Sequence, residues 1–197
     1  PAEVDRFGLG DPRVRFAVNL YGAPAMTPKA FASYRQRLIV GVSVTVAPPL
    51  GQYDSTKLIN LGTNRWSIKP EAGISRTYGK WVVEGMAGVW LFTDNTDFVG
   101  GRTREQDPIT ATQVHLTYKF TPSRWLAADA NYFFGGRTTI GGKQNLDLQR
   151  NSRIGATFST ALTRGQAVRM SVSRGAYTTV GADFTSFAFG YNYAWVR

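Results

Sequence analysis

The sequence predicts an all-β fold class, an antiparallel transmembrane β-barrel. Three observations along the chain predict it: large apolar side chains alternate with small or polar ones in many separate stretches, charged residues fall on the other phase of this alternation, and short connections alternate with long ones. Successive residues of a strand point to opposite faces. Each stretch therefore has one apolar and one polar face, as strands do that separate lipid from an aqueous lumen.

Strict alternation predicts nine strands. They span 12–21, 35–46, 65–76, 80–92, 110–120, 125–134, 152–162, 167–178 and 184–195. The apolar phase of the first eight is built mainly from Val, Leu, Ile, Ala, Phe, Tyr and Trp. In the ninth strand it is fully aromatic: Phe187, Phe189, Tyr191, Tyr193 and Trp195. A soluble protein could bury such an aromatic wall, whereas a membrane barrel turns it toward lipid.

The opposite phase of the same strands carries nearly all of the mid-strand charges, and most of these are basic. Because an unpaired charge facing lipid is costly, we expect these side chains to line a pore. The predicted pore-lining residues are Arg13, Arg15, Arg35, Arg37, Arg65, Lys69, Glu71, Glu84, His115, Lys119, Asp129, Arg153 and Arg169. A ring of Arg and Lys favours anions, and the same arginines could also brace the lumen through ion pairs. Inward apolar side chains at Val82, Met86, Trp90, Trp125 and Phe133 could add apolar patches.

The connections support the same fold. Residues 77–80, 121–124 and 163–166 read as tight turns, and residues 47–64, 93–109 and 135–151 read as long polar loops, the pattern of periplasmic turns and external loops in outer-membrane barrels. The 22–34 connection breaks the pattern, and Thr27 followed by Pro28 predicts a short helix there. Bacterial single-chain barrels have even strand numbers. We therefore expect residues 1–197 to be a single barrel domain that lacks N-terminal strands and a signal peptide, with about 10–12 strands when complete.

Composition excludes several classes of protein. No run approaches the ~20 apolar residues of a spanning helix, and the lack of cysteine excludes disulfides, thiolate metal sites and cysteine nucleophiles. The net charge of +10 raises the possibility of nucleic-acid binding, but the basic residues are scattered and form no run. We predict no catalytic residues, no cofactor and no metal site.

Three polar groups have alternative interpretations. His115 is the only histidine and is either a pore-lining residue or the base of an outer-membrane lipid-modifying enzyme, which would also need a serine and an acid. Glu71, Glu84 and Asp129 are either acid/base groups or ion-pair partners inside the barrel. The oxygen-rich segment 93–97 is either a polar external turn or a calcium-binding loop, although its spacing fits no defined loop.

Several motifs, spread over essentially the whole chain, carry a family resemblance. They include Gly10-Asp11-Pro12-Arg13-Val14-Arg15 and Asn19-Leu20-Tyr21-Gly22-Ala23-Pro24, and they continue in segments 48–54, 57–66, 100–108, 135–139 and 151–157. With these motifs the chain resembles the outer-membrane channel family of the MetA pathway of phenol degradation. The resemblance implies a non-enzymatic, Gram-negative outer-membrane protein for passive uptake of small, hydrophobic or aromatic compounds.

The sequence thus favours a monomeric outer-membrane channel with an electropositive lumen for small aromatic or anionic solutes. Its expected partners are outer-membrane lipids and lipopolysaccharide, the solute itself and the barrel-assembly machinery, with no nucleic acid. The alternatives are an outer-membrane lipid-modifying enzyme that depends on His115, and a soluble basic β-protein that binds nucleic acid or an anionic glycan.

Overall fold

The strands of the protein pair into one large and one small antiparallel sheet. The computed structural model describes residues 5–163 and 165–195. Within them the strands are β1 (Val14–Tyr21), β2 (Leu38–Ala47), β3 (Ser67–Tyr78), β4 (Trp81–Phe92), β5 (Asn95–Phe98), β6 (Arg102–Gln106), β7 (Ile109–Thr121), β8 (Arg124–Gly135), β9 (Thr138–Ile140), β10 (Lys143–Gln144), β11 (Gln149–Thr163), β12 (Gln166–Tyr177) and β13 (Thr185–Tyr193). One helix, α1, spans Pro28–Ser33. No helix of the described residues is long and apolar enough to cross a membrane.

The nine predicted strands form the large sheet, in the order β1-β2-β3-β4-β7-β8-β11-β12-β13. Each strand pairs antiparallel with its neighbour, and the predicted ends differ from the observed ends by at most three residues. The all-β, antiparallel prediction is therefore confirmed. Among the described residues, β1 and β13 each pair on one side only, so the sheet is not closed.

The large sheet has two chemically distinct faces, because the register keeps the two phases of alternation on opposite sides. We call polar face the side that carries Arg15, Glu71, His115, Asp129 and Arg169, and apolar face the side that carries Phe16, Val42, Leu116, Val172 and Phe189. The apolar face is widely exposed to its surroundings: Phe187 and Phe189, for example, keep 82% and 71% of their accessible surface. A contiguous apolar surface of this extent indicates contact with lipid or with another apolar layer.

The connections at one end of the sheet are short. Gly79 has a positive φ of 58° and allows a tight turn between β3 and β4, and Pro122 and Ser123 join β7 to β8. The predicted turn at 163–166 contains Arg164, which lies outside the described residues. The 22–34 connection contains α1, whose first turn is capped by Thr27: its Oγ1 accepts a hydrogen bond from the Ala30 amide at 3.3 Å. The predicted short helix with its Thr27 cap is confirmed.

At the other end of the sheet, two segments predicted as irregular loops contain strands. Residues 93–109 and 135–151 supply β5, β6, β9 and β10, which pair as a four-stranded sheet in the order β10-β9-β6-β5. We call it the loop sheet. The prediction missed it because each strand has only two to five residues, too few for periodicity to be visible. In addition, β6 pairs with β9, and residues 107–137 lie between them in the chain. The long loops are thus joined to one another rather than independent.

A third long segment, residues 48–66, packs against the loop sheet through the side chain of Asn95. This side chain is buried, and it donates to Tyr53 Oη at 2.8 Å and to the Thr63 carbonyl at 3.3 Å. It accepts from Asn64 Nδ2 at 2.9 Å and from the Asp97 amide at 3.1 Å. The side chain of Asn95 is therefore fully used in holding the loops together, and most of the oxygen-rich segment 93–97 lies in strand β5.

Asp11 fixes the same 48–66 segment to the start of β1. Its Oδ1 accepts from the Gly51 amide at 2.8 Å, and its Oδ2 accepts from the amide and the hydroxyl of Thr63, both at 2.7 Å. Gly51 and Gly62 touch there: a Cβ on Gly62 would lie 2.7 Å from the Gly51 carbonyl carbon, so only glycine fits. Burial alone would raise the pKa of the Asp11 carboxyl, but the hydrogen bonds from Thr63 and Gly51 outweigh it and hold the pKa below its usual range.

This arrangement predicts that acid loosens the loops. A carboxyl whose pKa is lower in the folded state contributes stability above its unfolded pKa of about 3.9, and loses it as pH falls through that value and then through the folded pKa. We expect the exchange protection of the Gly51 and Thr63 amides, corrected for intrinsic rates, to be high at pH 6 and to fall below pH 4. In Asp11→Asn, protection should be low at both pH values. Unchanged protection of the parent protein between pH 6 and pH 3 would contradict this role of Asp11.

Candidate functional site on the polar face of the sheet

A cavity of about 600 Å³ lies on the polar face of the large sheet. Side chains from eight of its nine strands, all except β13, line this cavity, so the sheet curls around it. The volume falls within the ~300–1,000 Å³ typical of small-molecule sites. Of the thirteen residues predicted to line a pore, six contact the cavity: Arg15, Glu71, Glu84, His115, Asp129 and Arg169.

Glu71 is the centre of the first cluster in the cavity wall. Its Oε1 accepts from Arg15 Nη2 at 2.8 Å and its Oε2 from Lys69 Nζ at 2.6 Å, while its side chain is only 5% exposed. Ser43, on the strand between Arg15 and Glu71, accepts from Arg15 Nη2 at 3.1 Å. A buried carboxylate needs such partners, since an uncompensated charge in this position would be strongly unfavourable. Of the two interpretations of Glu71, the contacts are those of an ion-pair partner.

Trp90 extends this cluster toward the long loops. The Lys69 ammonium lies 5.4 Å and the Arg13 guanidinium 5.6 Å from the centre of its ring. Both distances are within the range of cation–π attraction. The predicted pore-lining residues Arg13 and Lys69 thus both contact Trp90, and Lys69 is held by the Glu71 carboxylate as well.

His115 and Asp129 form the second cluster, on neighbouring strands. His115 Nδ1 is hydrogen-bonded to Asp129 Oδ1, and the other carboxylate oxygen accepts from the Thr157 hydroxyl at 3.0 Å. Glu84 is the partner of His115 in the register of β4 and β7 and has no salt-bridge partner within the described residues. The middle of the polar face therefore carries an acidic patch that contains the single histidine.

A third cluster lies nearer the tight turns. The Arg169 guanidinium lies 5.4 Å from the centre of the Trp125 ring, and Lys119 is the register partner of Trp125 on β7. Neither cation has a salt-bridge partner within the described residues. Trp125 and Met86, predicted as inward apolar side chains, both line the cavity.

The remaining predicted residues lie near the ends of the sheet. Arg153 stacks on Phe184 at 4.2 Å and donates to the Phe184 carbonyl at 3.1 Å. Arg65 is buried, stacks on Phe92 at 4.4 Å and donates to Gln106. Burial, reinforced by the nearby charge of Arg104, lowers the pKa of Arg65 to about 10.

Arg35 and Arg37 differ from the prediction. Both were expected inside the second strand, but β2 begins at Leu38, and both side chains are exposed in the segment that follows α1. Neither contacts the cavity. The alternation of the sequence continues upstream of Leu38, and the Arg37 carbonyl still accepts from the Thr77 amide at 2.9 Å, but the regular pairing of β2 with β3 begins only at Leu38.

Several partners of the predicted residues were not identified as functional from the sequence. Ser43 and Thr157 lie on the polar phase, but nothing in their spacing shows that they bond Arg15 and Asp129. Gln106, the partner of Arg65, lies in a loop strand forty-one residues away. Such pairs arise from the register of neighbouring strands and from loop packing, and neither can be predicted from the spacing of residues in a single sequence.

An antiparallel sheet that is apolar on one side and curls around a polar cavity on the other is the construction of outer-membrane β-barrel proteins. Residues 1–197 match the family described as "Putative MetA-pathway of phenol degradation" along their whole length. The chain belongs to this family, as its motifs predicted.

A solved structure has the same fold. The crystal structure of the COG4313 outer membrane channel from Pseudomonas putida F1 superposes with a TM-score of 0.79 at 24% sequence identity. The match covers 94% of this chain and 66% of that one, so the chain spans about two thirds of the length of the solved channel. At this identity the likeness concerns the fold. No curated protein matches the sequence significantly.

Proposed function

We propose that this protein is a channel of the Gram-negative outer membrane for passive uptake of small aromatic or anionic solutes. The observation that carries the proposal is the cavity of about 600 Å³ on the polar face of a sheet whose opposite face is a continuous apolar surface. Lipid and lipopolysaccharide would cover the apolar face, and the solute would pass along the polar one. The solved protein with the same fold is an outer membrane channel, which supports this interpretation.

The charged residues are unevenly distributed along the proposed lumen, so its positive potential should vary along its length. Nine of the thirteen predicted pore-lining residues are basic and three are acidic, which favours anions overall. The charges that line the cavity, however, are Arg15 and Arg169 against Glu71, Glu84 and Asp129. We propose that the two ends of the lumen are basic and attract anions, while its middle is of mixed charge and selects only weakly.

Conductance tests the proposed function. We expect the full-length protein, refolded and reconstituted in a planar bilayer, to give stepwise ohmic currents and a reversal potential that indicates modest anion preference in a salt gradient. Charge reversal at Arg169 should reduce that preference. Extraction of the native protein from cells should require detergent. Release without detergent, or a correctly folded protein that gives no current, would rule out the channel.

The contacts of His115 do not favour the enzymatic alternative. Lipid modification would need a serine hydroxyl at the histidine and a carboxylate behind it. The carboxylate is present in Asp129, but its second oxygen accepts from Thr157, and the described hydrogen bonds of His115 include no hydroxyl. We propose that His115, Asp129 and Thr157 form a polar part of the lumen wall. His115→Ala should therefore change the conductance of the channel.

A further inference from the structure

At one end of the cavity, its lining residues Trp125 and Arg169 lie beside a further basic residue of the polar face, Lys119, which is the register partner of Trp125. In the register of the sheet, Lys119 pairs with Trp125, Trp125 with Ser159, Ser159 with Arg169, and Arg169 with Gly190. All five residues occupy the polar face, and they form a row across β7, β8, β11, β12 and β13 that we call the Trp125 row. Side chains opposite one another on adjacent strands lie within contact distance, so the two basic residues flank the tryptophan.

The basic residues of this row are available to a ligand. Within the described residues, neither Arg169 nor Lys119 is in a salt bridge, whereas Arg15 and Lys69 are both bound to Glu71. The guanidinium of Arg169 lies over the Trp125 ring, with 5.4 Å between its central carbon and the ring centre. Cation–π attraction of this kind uses none of the N–H donors, so they remain for a carboxylate.

The acidic groups of the cavity are too distant to occupy this site. Asp129 follows Trp125 by four residues on the same strand, which places the two about 13 Å apart at the usual rise per residue. This separation exceeds the Debye length of ~8 Å at physiological ionic strength. The carboxylate of Asp129 is moreover already bonded by His115 and Thr157. An incoming anion therefore meets the Trp125 row as the part of the cavity with unopposed positive charge.

The space beside the row accommodates a ring. Between the Trp125 row and the His115–Asp129 pair, the polar face carries the small side chains Thr117, Ala127, Thr157 and Ser171, all of which line the cavity. A six-membered aromatic ring could lie in this space against the edge of Trp125, since aromatic rings attract one another in edge-on contact.

We propose that the Trp125 row is a binding subsite for aromatic carboxylates, in which Arg169 and Lys119 hold the carboxylate and Trp125 contacts the ring. This inference rests on the proposed channel function and specifies its solute class. Such a subsite would raise the occupancy of aromatic acids in the lumen over that of neutral phenols and of small aliphatic acids.

Benzoate, acetate and phenol are the probes that test the subsite, measured by titration calorimetry in detergent and by block of single-channel current. We expect benzoate to bind and to block more strongly than either comparator. Arg169→Gln should raise the dissociation constant of benzoate about tenfold, and Arg169→Lys, which keeps the charge, should raise it less. Trp125→Leu should weaken benzoate and leave acetate unchanged.

Arg124→Gln is the matched control, because Arg124 directly precedes Trp125 and lies on the apolar phase of β8. It removes the same charge without touching the row, and benzoate binding should not change. Equal effects of Arg124→Gln and Arg169→Gln, or equal affinity for benzoate and acetate, would overturn the subsite. Conductance without benzoate binding would refute the subsite alone, whereas a folded protein that binds benzoate but passes no current would refute the channel alone.

Discussion

Replacing Glu71 by alanine is expected to destabilise the protein by about 3 kcal/mol, since removal of one partner from a buried ion pair leaves an uncompensated charge. Lys69, whose side chain is 12% exposed, would lose the oxygen that its ammonium contacts at 2.6 Å. Arg15 is 54% exposed and would be rehydrated more easily. The expected cost therefore lies at the lower end of the ~3–5 kcal/mol observed for such replacements.

Glu84→Ala is the control for this change. It removes the same charge from the same face, but Glu84 has no salt-bridge partner within the described residues. Urea unfolding of the reconstituted protein, followed by tryptophan fluorescence, gives the free energy of unfolding for both variants. We expect Glu84→Ala to cost less than about 1 kcal/mol, as polar substitutions away from buried networks do. Similar losses in the two variants would show that Glu71 is not specially paired.

Conductance of Glu71→Ala and Glu84→Ala shows how each carboxylate affects ion selectivity, apart from its effect on stability. Each raises the net charge of the polar face by one unit, so both should shift the reversal potential toward anions. Only Glu71→Ala should also broaden the current levels, because Arg15 and Lys69 would then lose their common anchor. This comparison follows from the arrangement of Glu71 between two basic residues on β1 and β3.

The sequence was sufficient to predict the large sheet because a period of two is visible wherever one face is apolar and the other polar. The register then brings Glu71 to Arg15 and Asp129 to His115, which no spacing along the chain reveals. The loop sheet was not predictable for a related reason. Its strands are short, and its stability comes from contacts such as those of Asn95 with Tyr53 and Thr63, which are distant in the sequence.

The candidate site was predictable in composition and less so in arrangement. Alternation placed Arg169 and Trp125 on the same face, but only the pairing of β8, β11 and β12 sets them in contact. The acidic residues of the polar face fall near mid-strand and most of its basic residues toward the strand ends. A count of charges cannot show this, because position along a strand matters as much as the face.

Leu116→Arg should destabilise the protein by about 2–4 kcal/mol, whereas Thr117→Arg, one residue further along the strand, should have little effect on stability. Leu116 lies on the apolar face near the middle of β7 and is exposed there, and a charge at the lipid-facing midplane of a barrel carries a penalty of this size. Thr117 lies on the polar face and lines the cavity. Urea unfolding in lipid vesicles would measure both variants, Leu116→Arg and Thr117→Arg.

In a conductance measurement Thr117→Arg should have the larger effect and Leu116→Arg the smaller, which is the reverse of their expected effects on stability. Thr117→Arg places a large charged group in the cavity and should lower the single-channel current, while Leu116→Arg, once folded, should leave it unchanged. If the apolar face were in water, arginine at 116 would lose only the partial burial of an exposed leucine and would cost well below ~2 kcal/mol. Equal stability of the two variants in lipid would therefore contradict the membrane location and the channel together, because both depend on which face of the sheet meets lipid.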